Sequence, residues 1–534
     1  MLTIYCLEYI YCKCTIILFA CMWTIMLMYI HYKSTYYRLI IQPRLEINML
    51  TYSFENTGSD SLYEYLYKCI KNDILKNELA AGYKLPSKRS FAKNLGVSTI
   101  TVENAYAQLI AEGYIYSVPK KGFYVSDIEK NNLYDSKKTC SQAENRLTLN
   151  ISANPSYTAD SYNTFSVNNS NDYKFDFTSN RTLTGSFPFY TWSKLMKNVI
   201  ADSSYDMLTP SPSAGVYPLR KAISQHLYDF RGMNIRPEQI IVGAGTEYLY
   251  SLLINLLGRD KTFAVEDPGY SKIRQIYEAN NVNCVSIPID DDGININNLN
   301  DSNCNVIHIS PSHHYPTGIV TTVSRRYELL SWASKNADRF IIEDDYDSEF
   351  RLMGKPIPSL QSIDVSDKVI YMNTFTKSLA PTIRISYMVL PLPLLDKFYK
   401  RLYFYSSTVS NLEQYTLCRF IEDGYFEKHI NHMRIFYKKQ RDTMISAINN
   451  SPLAHHASIQ EKDAGLHFLM AIDTKLSDEE LIRKTAGNNI RISCLSQYYY
   501  NKSNAIDHTL IMNYSAIDTE KIEEAVNALA KVLI

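Results

Sequence analysis

The segment Thr374-Phe-Thr-Lys-Ser-Leu-Ala-Pro-Thr-Ile-Arg384 sets one amine, Lys377, among two hydroxyls, Thr374 and Thr376, and a guanidinium, Arg384. A lysine that forms a Schiff base must be held at a fixed point beside the carbonyl it attacks. Hydroxyls and a guanidinium are the groups that hold a phosphate. The apolar run Val369 to Met372 predicts a strand leading into this turn. Taken alone, a surface lysine in a basic loop explains the segment equally well, and its neighbours in sequence carry the weight.

Those neighbours are further strand-to-loop transitions. Gln239 to Val242 predicts a strand that enters Gly243-Ala-Gly245-Thr246-Glu247, followed by an apolar helical pattern from Tyr248 to Leu257. Glycines at the mouth of a helix let backbone N–H groups approach an anion, which the helix dipole favours. Thr262 to Glu266 predicts a strand running into Asp267-Pro-Gly-Tyr270. Asn305 to Ser310 leads into Pro311-Ser-His-His-Tyr315-Pro-Thr-Gly318. Arg339 to Glu343 predicts a strand ending in Asp344-Asp345-Tyr346-Asp-Ser-Glu-Phe-Arg351. An acidic run of this kind is more often a solvated loop, and a turn tyrosine is unremarkable in a chain with 43 tyrosines. The order of the motifs gives them meaning.

In that order they resemble the fold-type I aminotransferase domain, across roughly Tyr173 to Ile534. The resemblance implies an α/β domain with a mainly parallel sheet, a site at the carboxyl ends of its strands, and a smaller α+β subdomain beyond Pro391. That subdomain would hold an amphipathic stretch Leu412 to Tyr437, a strand around Leu466 to Met470, and a last helix from Asp518. The implied cofactor is pyridoxal 5'-phosphate, with Lys377 its catalytic lysine. Asp344, with Asp345 the adjacent alternative, would keep the pyridine nitrogen protonated. Tyr346 would donate to the phenolic oxygen and Tyr270 would stack on the ring. Gly245, Thr246, Glu247, Thr374, Thr376 and Arg384 would surround the phosphate. Many aminotransferases place an asparagine before the Pro-x-Gly of the third loop, where this chain has Tyr315. Lys272, Arg274 and Arg491 are candidates for a substrate carboxylate.

Ahead of this domain, Leu62 to Leu75 has helical apolar spacing. In Gly82-Tyr-Lys84-Leu-Pro-Ser87-Lys88-Arg89, Ser87 is a candidate N-cap for a short helix. Leu95-Gly-Val97 is a tight turn, Ser98 caps a second helix Thr99 to Glu112, and Tyr114 to Val125 predicts a hairpin. The Leu-Pro-Ser-x-Arg and Gly-Val-Ser-x-x-Thr-Val segments resemble the GntR-type winged helix, which implies binding to double-stranded DNA. Candidate contacts are Lys84, Ser87, Lys88, Arg89, Ser98, Thr99, Thr101, Lys120 and Lys121. Thr99 stands where that family often has arginine, which puts a direct guanine contact in doubt. The whole chain is neutral, with 55 basic and 55 acidic residues, so the basic excess is local.

A GntR-type winged helix ahead of an aminotransferase-like domain is the plan of the MocR/GabR family of transcriptional regulators. The Ser-His-x-Tyr-Pro-x-Gly loop and the Asp-Asp-Tyr-Asp-Ser-Glu-Phe-Arg run fit it well. The resemblance implies a homodimeric, cytoplasmic DNA-binding regulator that senses a small amino compound at Lys377; a working aminotransferase with an appended reading head is the alternative. The domains read as 1–48 hydrophobic extension, 58–126 winged helix, 127–172 linker rich in Asn, Ser, Thr and Lys, and 173–534 aminotransferase-like. Within the extension, residues 15–30 are uncharged and fall short of the roughly 20 residues that span a bilayer. A start at Met49 is the favoured expectation, and a membrane anchor the other. Cys6, Cys12, Cys14 and Cys21 lie in the extension, the rest of the ten cysteines are scattered, and no zinc spacing results.

Overall fold

The computed structural model describes Tyr52, Phe54 and residues 61–119, 121–127, 173–179, 186–202, 204–352, 357–460 and 465–534. The extension 1–48, Lys120 and residues 128–172 of the linker lie outside the described residues. No helix among the described residues is long and apolar enough to cross a membrane.

The N-terminal unit is three helices and a three-stranded sheet. Helix Leu62–Leu75 buries Leu66, Ile70 and Ile74, spaced one turn apart. Helices Lys88–Leu95 and Thr99–Ala111 are joined at Gly96, whose φ of 67° suits glycine at a helix C-terminus. Ser87 and Ser98 cap them by accepting from the amides of Ser90 and Thr101. Strands β1 (Lys84–Leu85), β2 (Ile115–Val118) and β3 (Gly122–Val125) pair in the order β1-β3-β2. This is a helix-turn-helix with a hairpin wing.

The large domain begins at the short strand β4 (Phe175–Asp176). Its centre is an eight-stranded sheet of β5 (Ile240–Gly243), β6 (Thr262–Asp267), β7 (Asn283–Asp290), β8 (Gly293–Ile294), β9 (Val306–Ile309), β10 (Phe340–Asp344), β11 (Val369–Thr374) and β12 (Ser386–Val389). The order is β5-β12-β11-β10-β9-β6-β7-β8, and the pairs among β6, β7, β9, β10 and β11 are parallel. β12 runs antiparallel to both neighbours. Strands covered on both faces are mostly apolar, and every residue of β5, β9, β11 and β12 is buried, with His308, Asn373, Thr374 and Ser386 the polar exceptions.

Beyond Pro391 lies a smaller subdomain of helices packed on β13 (Ala457–Gln460), β14 (His467–Ile472) and β16 (Thr509–Asn513). A two-residue strand, β15 (Ile490–Arg491), returns to pair with β4. The amphipathic stretch expected over Leu412 to Tyr437 is two helices, Asn411–Glu422 and Tyr425–Asn449, broken at Gly424 with φ 74°. The last helix starts at Ile522 rather than Asp518, after a 3-10 turn at Thr519–Lys521.

The winged helix rests against helix Val323–Ser334 of the large domain. Val323 belongs to the winged helix's own apolar cluster, with Tyr327 packed against it. The Val323 amide donates to the carbonyl of Glu112 at 2.9 Å. Gly113 has φ 79°, and a Cβ there would fall 2.9 Å from the Cβ of Thr322, so only glycine permits this approach.

Candidate functional site

One pocket gathers the ends of β6, β9, β10 and β11 and the start of helix Thr246–Leu257. Lys377 lies in its wall, on the one-turn helix Phe375–Ser378 that follows β11. Burial lowers the Lys377 amine to about 8, against the opposing pull of Asp347.

Asp344, at the end of β10, is buried with two unlike oxygens. Its Oδ2 accepts from the Tyr250 hydroxyl at 2.6 Å and lies 3.3 Å from Nε2 of His308. Its Oδ1 is buried without a partner. A buried carboxylate oxygen left unpaired is costly unless a ligand donor meets it. Asp345 faces a different cluster: its Oδ2 is 2.9 Å from Arg231 and accepts from Tyr371 at 2.6 Å. That choice between adjacent carboxylates follows from strand alternation, which sends successive side chains to opposite faces.

Around the mouth of helix Thr246–Leu257, Gly245 has φ 89°, and a Cβ there would meet Nη2 of Arg384 at 2.5 Å. The backbone thus comes as close to the guanidinium as a glycine allows. Thr374 donates to Thr376 at 2.8 Å and accepts from Ser386 at 2.8 Å. Glu247 is 3.4 Å from Arg384 and also pairs with Lys272, so it balances this cationic cup rather than offering a donor. Tyr270, Tyr315 and Tyr346 line the same pocket, and Tyr270 meets Tyr315 edge-on at 5.9 Å. The unpaired Asp344 oxygen and the glycine-floored cup fit the two ends of pyridoxal phosphate, a ring N–H and a phosphate.

The three carboxylate candidates part company. Lys272 lines the pocket. Arg274 lies outside the lining: it is held by Glu278 and Ser286 and stacks on Tyr500 at 3.6 Å. Arg491, on β15, lies 3.7 Å from Asp176 and is likewise outside the lining. Sequence reasoning did not reach Tyr250, Glu266, His308 or His467, which also line the pocket. Burial raises the Glu266 carboxyl to about 8 and lowers His467 to about 3. Tyr250 sits one turn after Thr246, and His308 interrupts an apolar strand; those were the available signals.

On the winged helix, Arg89, Thr99 and Lys121 are exposed, while Lys84 lies 6.0 Å from the ring of Tyr124. Lys88 pairs with Glu103 at 2.7 Å, which ties the two helices together and reduces its freedom to reach phosphate. The Ser87 and Ser98 hydroxyls are engaged as caps, and Thr101 Oγ1 lies 2.8 Å from Ser98 Oγ. Ile100, not singled out from sequence, is 67% exposed at the start of the second helix, the part with which helix-turn-helix proteins read base edges.

The family model for aminotransferase class I and II matches residues 173–529, and that for bacterial regulatory proteins of the gntR family matches residues 62–125. Similar proteins share both halves. An uncharacterized HTH-type transcriptional regulator, YdeL, of Bacillus subtilis is 36% identical over 88% of this chain and 96% of its own length. The chain belongs to the MocR-type transcriptional regulators. The probable rhizopine catabolism regulatory protein MocR of Rhizobium meliloti is 29% identical to this regulator over 89% of the chain and 94% of its own length. Among solved structures, the multiple substrate aminotransferase from Thermococcus profundus superposes on the regulator with a TM-score of 0.60 at 21% identity, covering 71% of this chain and 95% of that one. At that identity the likeness shows the fold, which is the fold-type I α/β fold.

Proposed function

We infer that this regulator uses pyridoxal phosphate as a sensor and changes its grip on DNA when a small amino compound enters the pocket. The observation that carries the reading is a chain of contacts from pocket to reading head. The loop from Pro311 to Thr321 contributes Tyr315 to the pocket. The carbonyl of Pro311 accepts from Nη2 of Arg326 at 2.8 Å and from the Thr321 amide at 3.0 Å. Arg326 is one turn along the helix whose first residue, Val323, is packed into the winged helix. A shift of the loop therefore bears on the seat of the reading head. A two-state element biased from both sites is what coupling requires.

When bound, pyridoxal phosphate supplies an electrophilic carbonyl carbon and an electron-withdrawing ring. Asp344 Oδ1 would accept from the ring nitrogen and keep it protonated. Tyr346 would donate to the phenolic oxygen, and Tyr270 would cover one ring face. Arg384, the hydroxyls of Thr374 and Thr376 and the amides beside Gly245 and Thr246 would hold the phosphate. Lys377, its amine lowered to about 8 by burial, would carry the cofactor and give up its proton more readily than an exposed lysine. Lys272, on the pocket wall, would meet a carboxylate on that amine at the cost of its pairing with Glu247. Phe189, Tyr190, Leu208, Tyr403 and Phe404 are large and exposed, and a second copy of the chain would cover such surface, giving a cytoplasmic homodimer with two reading heads.

The test is a titration of promoter DNA with the cofactor-loaded protein, with and without candidate amines, while the cofactor's visible band is followed. An amine that changes the band and leaves DNA affinity, footprint and bend unchanged refutes sensing. Multiple turnover to a keto acid favours the working aminotransferase, which the intact set of Lys377, Asp344 and Tyr346 would support.

A further inference from the structure

Behind Tyr346 stands a pair of side chains that the cofactor reading leaves unused. His313 and Asp347 are each 4% exposed, and Nδ1 of the one lies 2.8 Å from Oδ2 of the other. The Tyr346 hydroxyl oxygen lies 3.1 Å from the same Nδ1. One ring nitrogen thus faces two oxygens. A lone pair on Nδ1 would point at a carboxylate, so the proton belongs on Nδ1, where both oxygens can accept it. The phenol then has no acceptor behind it, and its own proton is free to turn into the pocket that Tyr346 lines. Nε2 of His313 is buried without a partner, as fits an unprotonated nitrogen. Gly465 seals the arrangement: it has φ 69°, and a Cβ there would lie 2.0 Å from Cε1 of His313 and 2.8 Å from Oδ2 of Asp347.

We propose that His313 and Asp347 are a positioning pair that fixes the Tyr346 hydroxyl as a donor to the phenolic oxygen of bound pyridoxal phosphate. The proposal rests on the cofactor reading given above. It also assigns a use to the departure at Tyr315, which stands where many aminotransferases carry an asparagine. The Tyr315 hydroxyl shares a hydrogen bond with that of Tyr498 at 2.9 Å, in which either can donate, whereas the Tyr346 hydroxyl, facing a protonated Nδ1, keeps its own proton for the pocket. The other ionisable groups facing this point are Asp344 on the same segment, Glu266 from β6, His314 and Tyr315 from the loop, Lys377 from the short helix and His467 from β14.

The readout is the pH midpoint of the visible band of cofactor carried on Lys377. A donor to the phenolic oxygen favours the more negatively charged form, so its loss raises the midpoint. A charge-assisted hydrogen bond of this kind corresponds to about 1 pH unit or more. Tyr346→Phe should raise the midpoint by that amount, and His313→Leu should raise it comparably. His313→Asn, whose amide nitrogen can stand where Nδ1–H stood, should restore it. In the Tyr346→Phe background, His313→Leu should add nothing, because the pair acts only through the phenol. A midpoint unmoved by His313→Leu, or shifts that add in the double variant, overturns the proposal. Should His313→Leu not fold, the nitrogen chemical shifts of His313 in the wild-type holoprotein decide: a proton on Nδ1 is expected, and a proton on Nε2 alone overturns the pairing. A wild-type protein that fixes no cofactor to Lys377 on borohydride reduction sinks the cofactor reading instead, and the tautomer still tests the pair.

Discussion

On the proposed reading, Lys377 would set the chemistry of cofactor uptake through its own proton. Its folded value is lowered from 10.5 to about 8 by burial, with Asp347 pulling the other way. Only the unprotonated amine attacks a carbonyl, so the rate of cofactor fixation should climb with pH through about 8 and level off above it. Asp347→Asn removes the opposing charge and should move that midpoint down; rapid-mixing absorbance measures both, and a wild-type midpoint at the ordinary lysine value would contradict the burial. The stability sign follows. Between about 8 and 10.5 the unfolded chain binds more protons at this lysine than the folded one, so this group's contribution to the cofactor-free protein's stability rises with pH across that window. Gly245→Ala is a second residue-scale case. The new methyl meets Arg384 at 2.5 Å and sits at φ 89°, a conformation that costs a non-glycine residue about 1–3 kcal/mol. Cofactor affinity measured by fluorescence titration should fall by roughly tenfold or more, with Lys377 still the residue labelled. Lys377, Asp344 and Arg384 could be picked out as pocket residues because each lies at or near a strand boundary with a chemical reason to be there. Tyr250 and His308 were not, because what reveals them is where a helix turn and a strand face meet across the sheet.

At the scale of elements, the reading head shows how much of a fold local chemistry carries. The apolar spacing predicts the first helix over Leu62 to Leu75, and the structure has those bounds, because one-turn apolar spacing is a property of the segment itself. The two serine caps fall where the sequence put them for the same reason. Ser98→Ala removes the acceptor for the Thr101 amide and should cost about 1 kcal/mol, seen as a lower melting temperature of the head and weaker DNA binding. Ile100 offers a different test. An exposed apolar side chain at the start of this helix would suit the methyl group of thymine, so Ile100→Ala should reduce discrimination between thymine and other bases at one operator position by about 1 kcal/mol. Equal affinity losses on all sequences would contradict that role. The break at Gly424 is missed when the apolar pattern alone is followed, although a glycine there is a helix-stop signal, and its left-handed φ of 74° separates the two helices.

The whole molecule is electrically neutral, so its attraction to DNA comes from one surface and not from its overall field. Affinity should fall steeply with salt, and Lys121→Ala should lower the slope of log affinity against log salt by about one unit. Arg89→Ala should weaken specific sites more than random DNA. Lys88→Ala should do less than either, because Lys88 is already paired with Glu103. The contact between head and large domain was invisible in sequence, since neither Gly113 nor Val323 carries any mark of a partner about 200 residues away. Yet Val323 completes the apolar cluster of the head. The head therefore does not own all of its core, and its unfolding cannot be independent of the domain that lends it a side chain. In a calorimeter the two units should melt as one cooperative event, and Gly113→Val should split it into two. By the same linkage, amides of helix Thr99–Ala111 should exchange with heavy water more slowly once the distant pocket is filled. The rate at which the DNA-reading helix breathes would then be a gauge of what the pocket holds.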